Sequence, residues 1–343
     1  MNSLNDLADQ LHRTVKLALD SGEAHSVDDA VRIFAAYRLQ LVLGPDVADD
    51  AGLQAAALTA VNCAARTLLG GVTVVGAQGP LRVTLPPFAD FPCALEGLGA
   101  RLGTSPDPEM PTVVVGDTAV EGLEPLALRA LVKGWAGGVI PAWQPLAPVS
   151  TSGIAAAGVL AGALAVSEIF QRLRGNAMAC RRAVGLDLWR PERDWRSAEA
   201  GPALSRLPSS AWLVGLGNLG QAFLWTLGLL PYGRETAHLV LQDFDILAPS
   251  NLSTSLLTTA ARLGQRKTRA MAAWAEERGF CTASRAQSRP GPQFTFPPQR
   301  RTALRWRPIR FAITWWDGRG GTVKLRVRSW QHSKSNSKTS PRT

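Results

Sequence analysis

Residues that bind metals or staple a fold together are scarce in this chain. Four cysteines, Cys63, Cys93, Cys180 and Cys281, are scattered through 343 residues with no C-x-x-C pair. That excludes a sequence-local zinc ribbon and offers no disulfide framework. Buried, inert thiols in a reducing cytosol are expected, and with them a cytoplasmic location. His12 and His25 lack metal-ligand spacing and read as surface residues. The opening Met1-Asn2-Ser3-Leu4-Asn5-Asp6 has neither the charged nor the apolar region of a signal peptide. Gly153 to Val166 is apolar but falls short of the roughly twenty residues of a span and runs into Glu168. A buried helix is expected there, and no membrane partner. No fixed-period repeat is visible.

Acidic residues are nearly absent from one end of the chain. Cys281 to Thr343 carries fourteen Lys and Arg against one acid, Asp317, a local charge of +13. The whole chain is +10, so the first 280 residues carry 23 basic and 26 acidic side chains, or −3. A near-neutral body gives no basic face, and nucleic acid is not an expected partner.

What is present reads as a globular α/β protein of about two domains, with 46% hydrophobic residues. The first helix is predicted from Ser3, with Leu4, Leu7, Leu11, Val15 and Ala18 at helical spacing. A second is predicted from the Ser26/Asp29 capping pattern through Leu43, stopping at Gly44-Pro45. A third spans Leu53 to Leu69, and strands follow at Val72–Val75, Leu81–Leu85 and Thr112–Val115. Trp135 to Pro148, punctuated by Trp and Pro, reads as loop, Gly153 to Leu173 as a tightly packed helix, and Gly185 to Trp189 as a short strand. Residues 1–189 thus form an N-terminal α/β module, and 190–208, rich in Arg, Glu and Pro, a linker. Residues 209–280 form a glycine-rich module and 281–343 an anomalous basic tail. The tail reads as a basic arm, a disordered tail or the translation of a shifted frame. The last is preferred, because the α/β pattern breaks off instead of completing.

The glycine-rich module carries the chemistry. The apolar run Trp212-Leu213-Val214 leads into Gly215-Leu216-Gly217-Asn218-Leu219-Gly220 and a helical segment. In this G-x-G-x-x-G spacing the first glycine permits a tight turn. The second lets a phosphate approach the backbone, and the third lets helix and strand pack closely. Phosphate would sit at the helix N-terminus, where unpaired amides favour an anion. A second strand pattern, His238 to Gln242, ends in Asp243-Phe244-Asp245, an acid placed to meet a ribose hydroxyl.

Four blocks together extend this reading. Val214 to Gly220, Leu241-Gln242-Asp243-Phe244-Asp245, Ser250-Asn251-Leu252 and Gly264-Gln265-Arg266-Lys267 resemble, in order and spacing, the ThiF/MoeB superfamily of ubiquitin-activating-enzyme-like adenylyltransferases. The resemblance is strong over 211–280 and weaker over the N-terminal half, where Gly153 to Gly175 is similar to the family's Ala/Gly-rich helix. It implies a Rossmann-like ATP-binding module preceded by a divergent α/β half. It also implies ATP and Mg²⁺ as cofactors, and adenylation of the C-terminal carboxylate of a ubiquitin-like or sulfur-carrier protein. Carried over by position, Gly215, Gly217 and Gly220 form the phosphate turn, Asp243 binds the ribose and Asn251 positions ATP. Lys267, the one catalytic residue so implied, neutralises the phosphates. The family's metal aspartate has no good counterpart; Asp317 is the sole candidate. Thr254 stands where a phosphate-binding arginine is expected, with Arg181 or Arg182 as substitute, and Asn218 stands where the family has a second glycine. Family members pair such folds, so a homodimer or an intrachain pseudo-dimer is expected. Two readings compete. A NAD-dependent oxidoreductase fits the glycines and the acid but not the Ser250 and Lys267 blocks. A non-catalytic pseudoenzyme that binds a ubiquitin-like partner fits Thr254 and the broken tail.

Overall fold

The computed structural model describes residues 11–119, 126–145, 153–197, 199–232, 237–285, 313–316 and 322–324. Two short helices, α1 (Arg13–Ser21) and α2 (Val27–Ala35), come first among these. Ser26 caps α2 by accepting the Asp29 amide, as the capping pattern predicts. The helix expected to continue through Leu43 instead ends at Ala35. Arg38–Leu43 is strand β1, paired in parallel with β2 (Gly71–Val75) on one side and β4 (Thr112–Val115) on the other. Five of its six residues are buried, so it lies covered on both faces. Such a strand shows a continuous apolar run, which on periodicity alone merges with the helix before it.

The first sheet has seven strands in the order β3-β2-β1-β4-β5-β6-β7. β3 is Ala100–Gly103 and β5 Ala127–Lys133; the four pairings from β3 to β5 are parallel. β6 (Ala136–Pro141) and β7 (Val184–Asp187) complete the sheet antiparallel. All of β6 falls in the stretch expected as loop. Its glycines explain the misreading, because they serve packing: a Cβ on Gly137 would lie 2.1 Å from the Ala157 carbonyl. The strand expected at Leu81–Leu85 does not form, as Pro80, Pro86 and Pro87 remove ladder donors around it. Buried Gln54 holds that loop, donating to the Pro80 carbonyl at 2.9 Å and accepting the Arg82 amide at 2.7 Å.

Helices α3 (Ala51–Thr67), α4 (Phe91–Gly97) and α5 (Ala155–Leu173) cover this sheet. α3 and α5 meet backbone to backbone. A Cβ on Gly158 would sit 2.0 Å from the Gly52 carbonyl, and one on Gly162 2.2 Å from that of Ala56. By length and composition α5 could cross a membrane, but its small-residue face is committed to α3.

The second sheet runs β10-β9-β8-β11-β12. β8 (Ser210–Val214) is followed by α6 (Asn218–Leu229), β9 (His238–Gln242), α7 (Lys267–Glu276) and β10 (Cys281–Arg285), with β8, β9 and β10 parallel. Cys281–Arg285, which composition assigns to the tail, is therefore a sheet strand. β11 (Ile313–Trp316) and β12 (Thr322–Lys324) add two more, β11 lying antiparallel against β8. The rest of 286–343 lies outside the described residues, and so do most of the readings of the tail. One hydrophobic core runs through both halves, and Trp225 of α6 donates its ring N–H to Thr59 of α3 at 3.0 Å.

The cysteines are free and only partly as expected. Burial pushes the Cys63 thiol up to about 11 and that of Cys180 to about 12, which makes both inert. Cys93 and Cys281 are exposed, so the expectation of buried thiols fails for these two.

Candidate functional site

The glycine loop forms where β8 hands over to α6. Gly215 has φ +87°, the left-handed region that glycine enters without strain, and its N–H reaches the Gln242 carbonyl at 2.8 Å. A Cβ on Gly220 would fall 1.9 Å from the Gly215 carbonyl, so the turn closes only with glycine there. Gly217 differs: a Cβ built on it meets nothing within 4 Å. The backbone at Gly217 thus faces open space, and no side chain caps the α6 N-terminus behind it. Uncapped helix amides beside an open glycine can cradle an anion.

Asp243 braces the loop from the end of β9. One carboxylate oxygen accepts the Leu216 amide at 2.5 Å and the other the Asp245 amide at 2.8 Å. Lys267 opens α7, with its amide bound to the Asp245 carbonyl and its Nζ 2.9 Å from an Asp245 carboxylate oxygen. The lysine side chain is 10% exposed and its carboxylate partner 71%, so a nearly buried cation leans on an acid open to solvent. Asn251 lies in a short 3-10 turn, Pro249–Ser253, and its Oδ1 accepts the Ala248 amide at 2.9 Å.

Two of the departures from the pattern that the chain resembles touch each other. Asn218 Oδ1 accepts the Thr254 hydroxyl at 3.0 Å and the Ser255 hydroxyl at 2.8 Å. Thr254, in place of an arginine, and Asn218, in place of a glycine, thereby tie the Ser250 turn to the glycine loop. Buried Gln221 adds a second tie, donating to the Leu216 carbonyl and accepting the Leu257 amide.

The N-terminal half reaches this site through residues the sequence reading missed. Arg13, the first residue of α1, donates its amide to Ser253 Oγ at 3.0 Å and its guanidinium to Ser250 Oγ at 3.4 Å. Arg13 is thus one cation that the N-terminal half brings to the turn, whereas Arg182, one of the two expected there, pairs with Glu168 of α5. Arg66 of α3 donates to the carbonyls of Leu252, Thr258 and Leu256 at 3.0, 2.9 and 2.7 Å. Neither residue carries a local signal, since their partners lie some two hundred positions away. His12, expected at the surface, is half-buried beside them. It caps α1 by accepting from Thr14, faces the Arg66 backbone, and burial lowers its pKa.

A carboxylate set for a metal is not part of this arrangement. Among the described residues no three His, Cys, Asp or Glu side chains come together. Asp317 lies outside the described residues. The strand before it runs the wrong way for a metal ligand at the glycine loop, because Ile313 faces Leu213 and Trp315 faces Ala211. β11 therefore carries its C-terminal end away from that loop. The N-terminal half offers no second cradle at the matching end of β1, where Asp46 fills the turn and accepts the Asp117 amide at 2.8 Å.

Comparison with known proteins agrees with this division. Residues 38–188 match the BilD N-terminal domain and residues 207–290 the BilD C-terminal domain. The chain is 39% identical over 276 residues to the bacterial E1-like protein BilD of Collimonas sp. (strain OK412). That match takes in 79% of this chain and 60% of the relative, so the chain spans well under two thirds of the relative's length. In both halves, and in the same order, the chain is similar to a bacterial E1-like protein.

Proposed function

We propose that this chain is an E1-like adenylyltransferase with its nucleotide site in the C-terminal half, a Rossmann-like module of ThiF type. The observation that carries the reading is the open backbone at Gly217 at the uncapped start of α6, together with Asp243, which braces Leu216 in the same loop. ATP fits this arrangement: triphosphate along the glycine loop, ribose hydroxyls at Asp243, positive charge from Lys267. When bound, Mg-ATP supplies an electrophilic α-phosphate for the C-terminal carboxylate of a ubiquitin-like or sulfur-carrier protein. The chain's own residues position and neutralise. The α6 amides hold phosphate oxygens, Asp243 fixes the sugar while bracing Leu216, and Lys267 exchanges Asp245 for phosphate as negative charge gathers. Arg13 adds positive charge at the Ser250 turn, delivered by the other half. With no carboxylate cluster among the described residues, Mg²⁺ would lean on phosphate oxygens and water.

The two halves act as an intrachain pair in this reading, one sheet carrying the site and the other supplying Arg13 and Arg66. A homodimer is the alternative pairing, and a cytoplasmic location belongs to the same proposal. A pseudoenzyme is the second reading, favoured by the Thr254–Asn218 bond in place of a cation. Calorimetry with ATP and with NAD, then carrier-dependent exchange of labelled pyrophosphate into ATP, separates the readings. ATP binding with exchange supports the enzyme, ATP binding without exchange the pseudoenzyme, and tighter NAD binding overturns both.

A further inference from the structure

We infer that the seam between the two halves holds a binding site for a small organic anion, with a carboxylate or phosphate head and an apolar body. A cavity of about 220 Å³ opens there, lined by Arg66 and Phe88 from one half and by Arg262, Trp274 and Arg278 from the other. None of Gly215, Gly217, Gly220, Asp243 or Lys267 lines it, so it is distinct from the nucleotide site and does not depend on that reading.

Its charge is unbalanced. Three guanidinium groups line the cavity against one carboxylate, Glu277. That carboxylate stands 3.5 Å from both Arg262 and Arg278 and is half exposed to solvent. Arg66 spends its donors on neutral oxygens alone, three backbone carbonyls and Asn62 Oδ1. Arg278 is deeply set, with a side chain 3% exposed. Its guanidinium lies 3.6 Å over the Trp274 ring and donates to the Trp274 and Pro86 carbonyls at 2.7 and 3.0 Å. Its Nε–H is buried and meets no acceptor among the described residues. Burial, with the like charge of Arg262 nearby, holds the Arg278 pKa down to about 10.

Arg66, with neutral partners alone, keeps most of its desolvation cost, and the orphaned Nε–H of Arg278 carries a cost of its own. An anion in the cavity relieves both. A planar carboxylate or a phosphate accepts forked bonds from guanidinium, the geometry in which Arg binds most strongly. The rest of the lining is apolar, with Phe88, Leu98 and Trp274 suited to a flat hydrocarbon body. Arg66 also holds the 252–258 segment, so occupancy would stiffen the turn that borders the nucleotide site.

The test is calorimetric titration of the full chain with benzoate and, separately, phenyl phosphate, at constant ionic strength. One saturating site is expected for at least one probe, and the tighter of the two identifies the head group. Arg262→Gln, at a side chain one-fifth exposed, should weaken binding about tenfold or more while leaving the melting temperature near wild type. Lys267→Ala should leave the titration unchanged. The inference is overturned by no saturation with either probe up to about 10 mM. Binding indifferent to Arg262→Gln, or binding lost in Lys267→Ala, overturns it equally.

Discussion

Thr254 and Asn218 are separated by 36 positions and joined by one hydrogen bond of 3.0 Å. Each alone reads as a defect in a nucleotide site, one a lost cation and the other a lost glycine. Bonded, they form a neutral tie where the family pattern places charge and backbone. Restoring one residue without the other should therefore do little. Thr254→Arg alone is expected to give no faster pyrophosphate exchange, whereas Thr254→Arg with Asn218→Gly should raise it. The coupling should lie in the range of about 0.5–3 kcal/mol that contacting residues show. Additive effects in that cycle would mean the tie is incidental. Lys267→Ala is the sharper change. Removing a preorganised cation commonly costs on the order of a hundredfold in rate, so exchange should fall to background. Exchange at the wild-type rate in that variant would exclude Lys267 from the chemistry. The glycine spacing is legible within one strand–loop–helix unit and Asp243 at the end of the next strand, whereas Lys267, at the start of α7, stands out only through the resemblance. Arg13 and Arg66 could not be found in the sequence, since what defines them is contact across the fold.

Among the elements, α1 and α5 make opposite demands. α5 depends on what it lacks, because Gly162 lets the Ala56 carbonyl come within 2.2 Å of where a Cβ would be. Gly162→Val should drive α3 and α5 apart at a cost of about 1–3 kcal/mol or more, read as a lower midpoint in urea unfolding. An unchanged midpoint would show that the pair has slack. α1 depends instead on one neutral ring. Burial lowers the His12 pKa below its ordinary 6.5, so the fold favours the uncharged imidazole that accepts from Thr14. Its contribution is fully present above about pH 6.5 and is lost as pH falls through that value toward the depressed folded pKa. Amides of α1 should therefore exchange faster at pH 5.5 than at 7.5 once intrinsic rates are removed, and His12→Gln should abolish the difference. Exchange indifferent to pH in the native chain would refute the latch. Elements legible in advance had unmixed patterns, such as the capped start of α2 and the small-residue stripe of α5. β1 and β6 were hidden, one because both faces are buried and the other because its glycines mark close packing instead of a turn.

For the whole molecule, the decisive contacts cross from one half to the other. Trp225 meets Thr59, Arg278 meets the Pro86 carbonyl, and Arg66 with Asn62 takes four bonds into 252–258. Residues 11–189 hold a seven-stranded sheet with helices α3 and α5 already packed on it, so this half should unfold cooperatively when produced alone. Residues 200–343 alone should not, because carbonyls of the 252–258 segment would lose the donors that fix them. Separate expression with circular dichroism melting of each half checks this, and a cooperative transition from the C-terminal piece would contradict it.

The direction of those Arg66 bonds has a consequence for how the protein comes into being. A ribosome delivers the donor long before the acceptors, with almost two hundred residues of synthesis between them. The first half can reach its final shape while the second is still being made. The emerging 252–258 segment then meets a finished surface with its donors already in place. Assembly is templated in time, and a pause or slow codon before Leu252 would cost little, because the surface that segment meets is already complete.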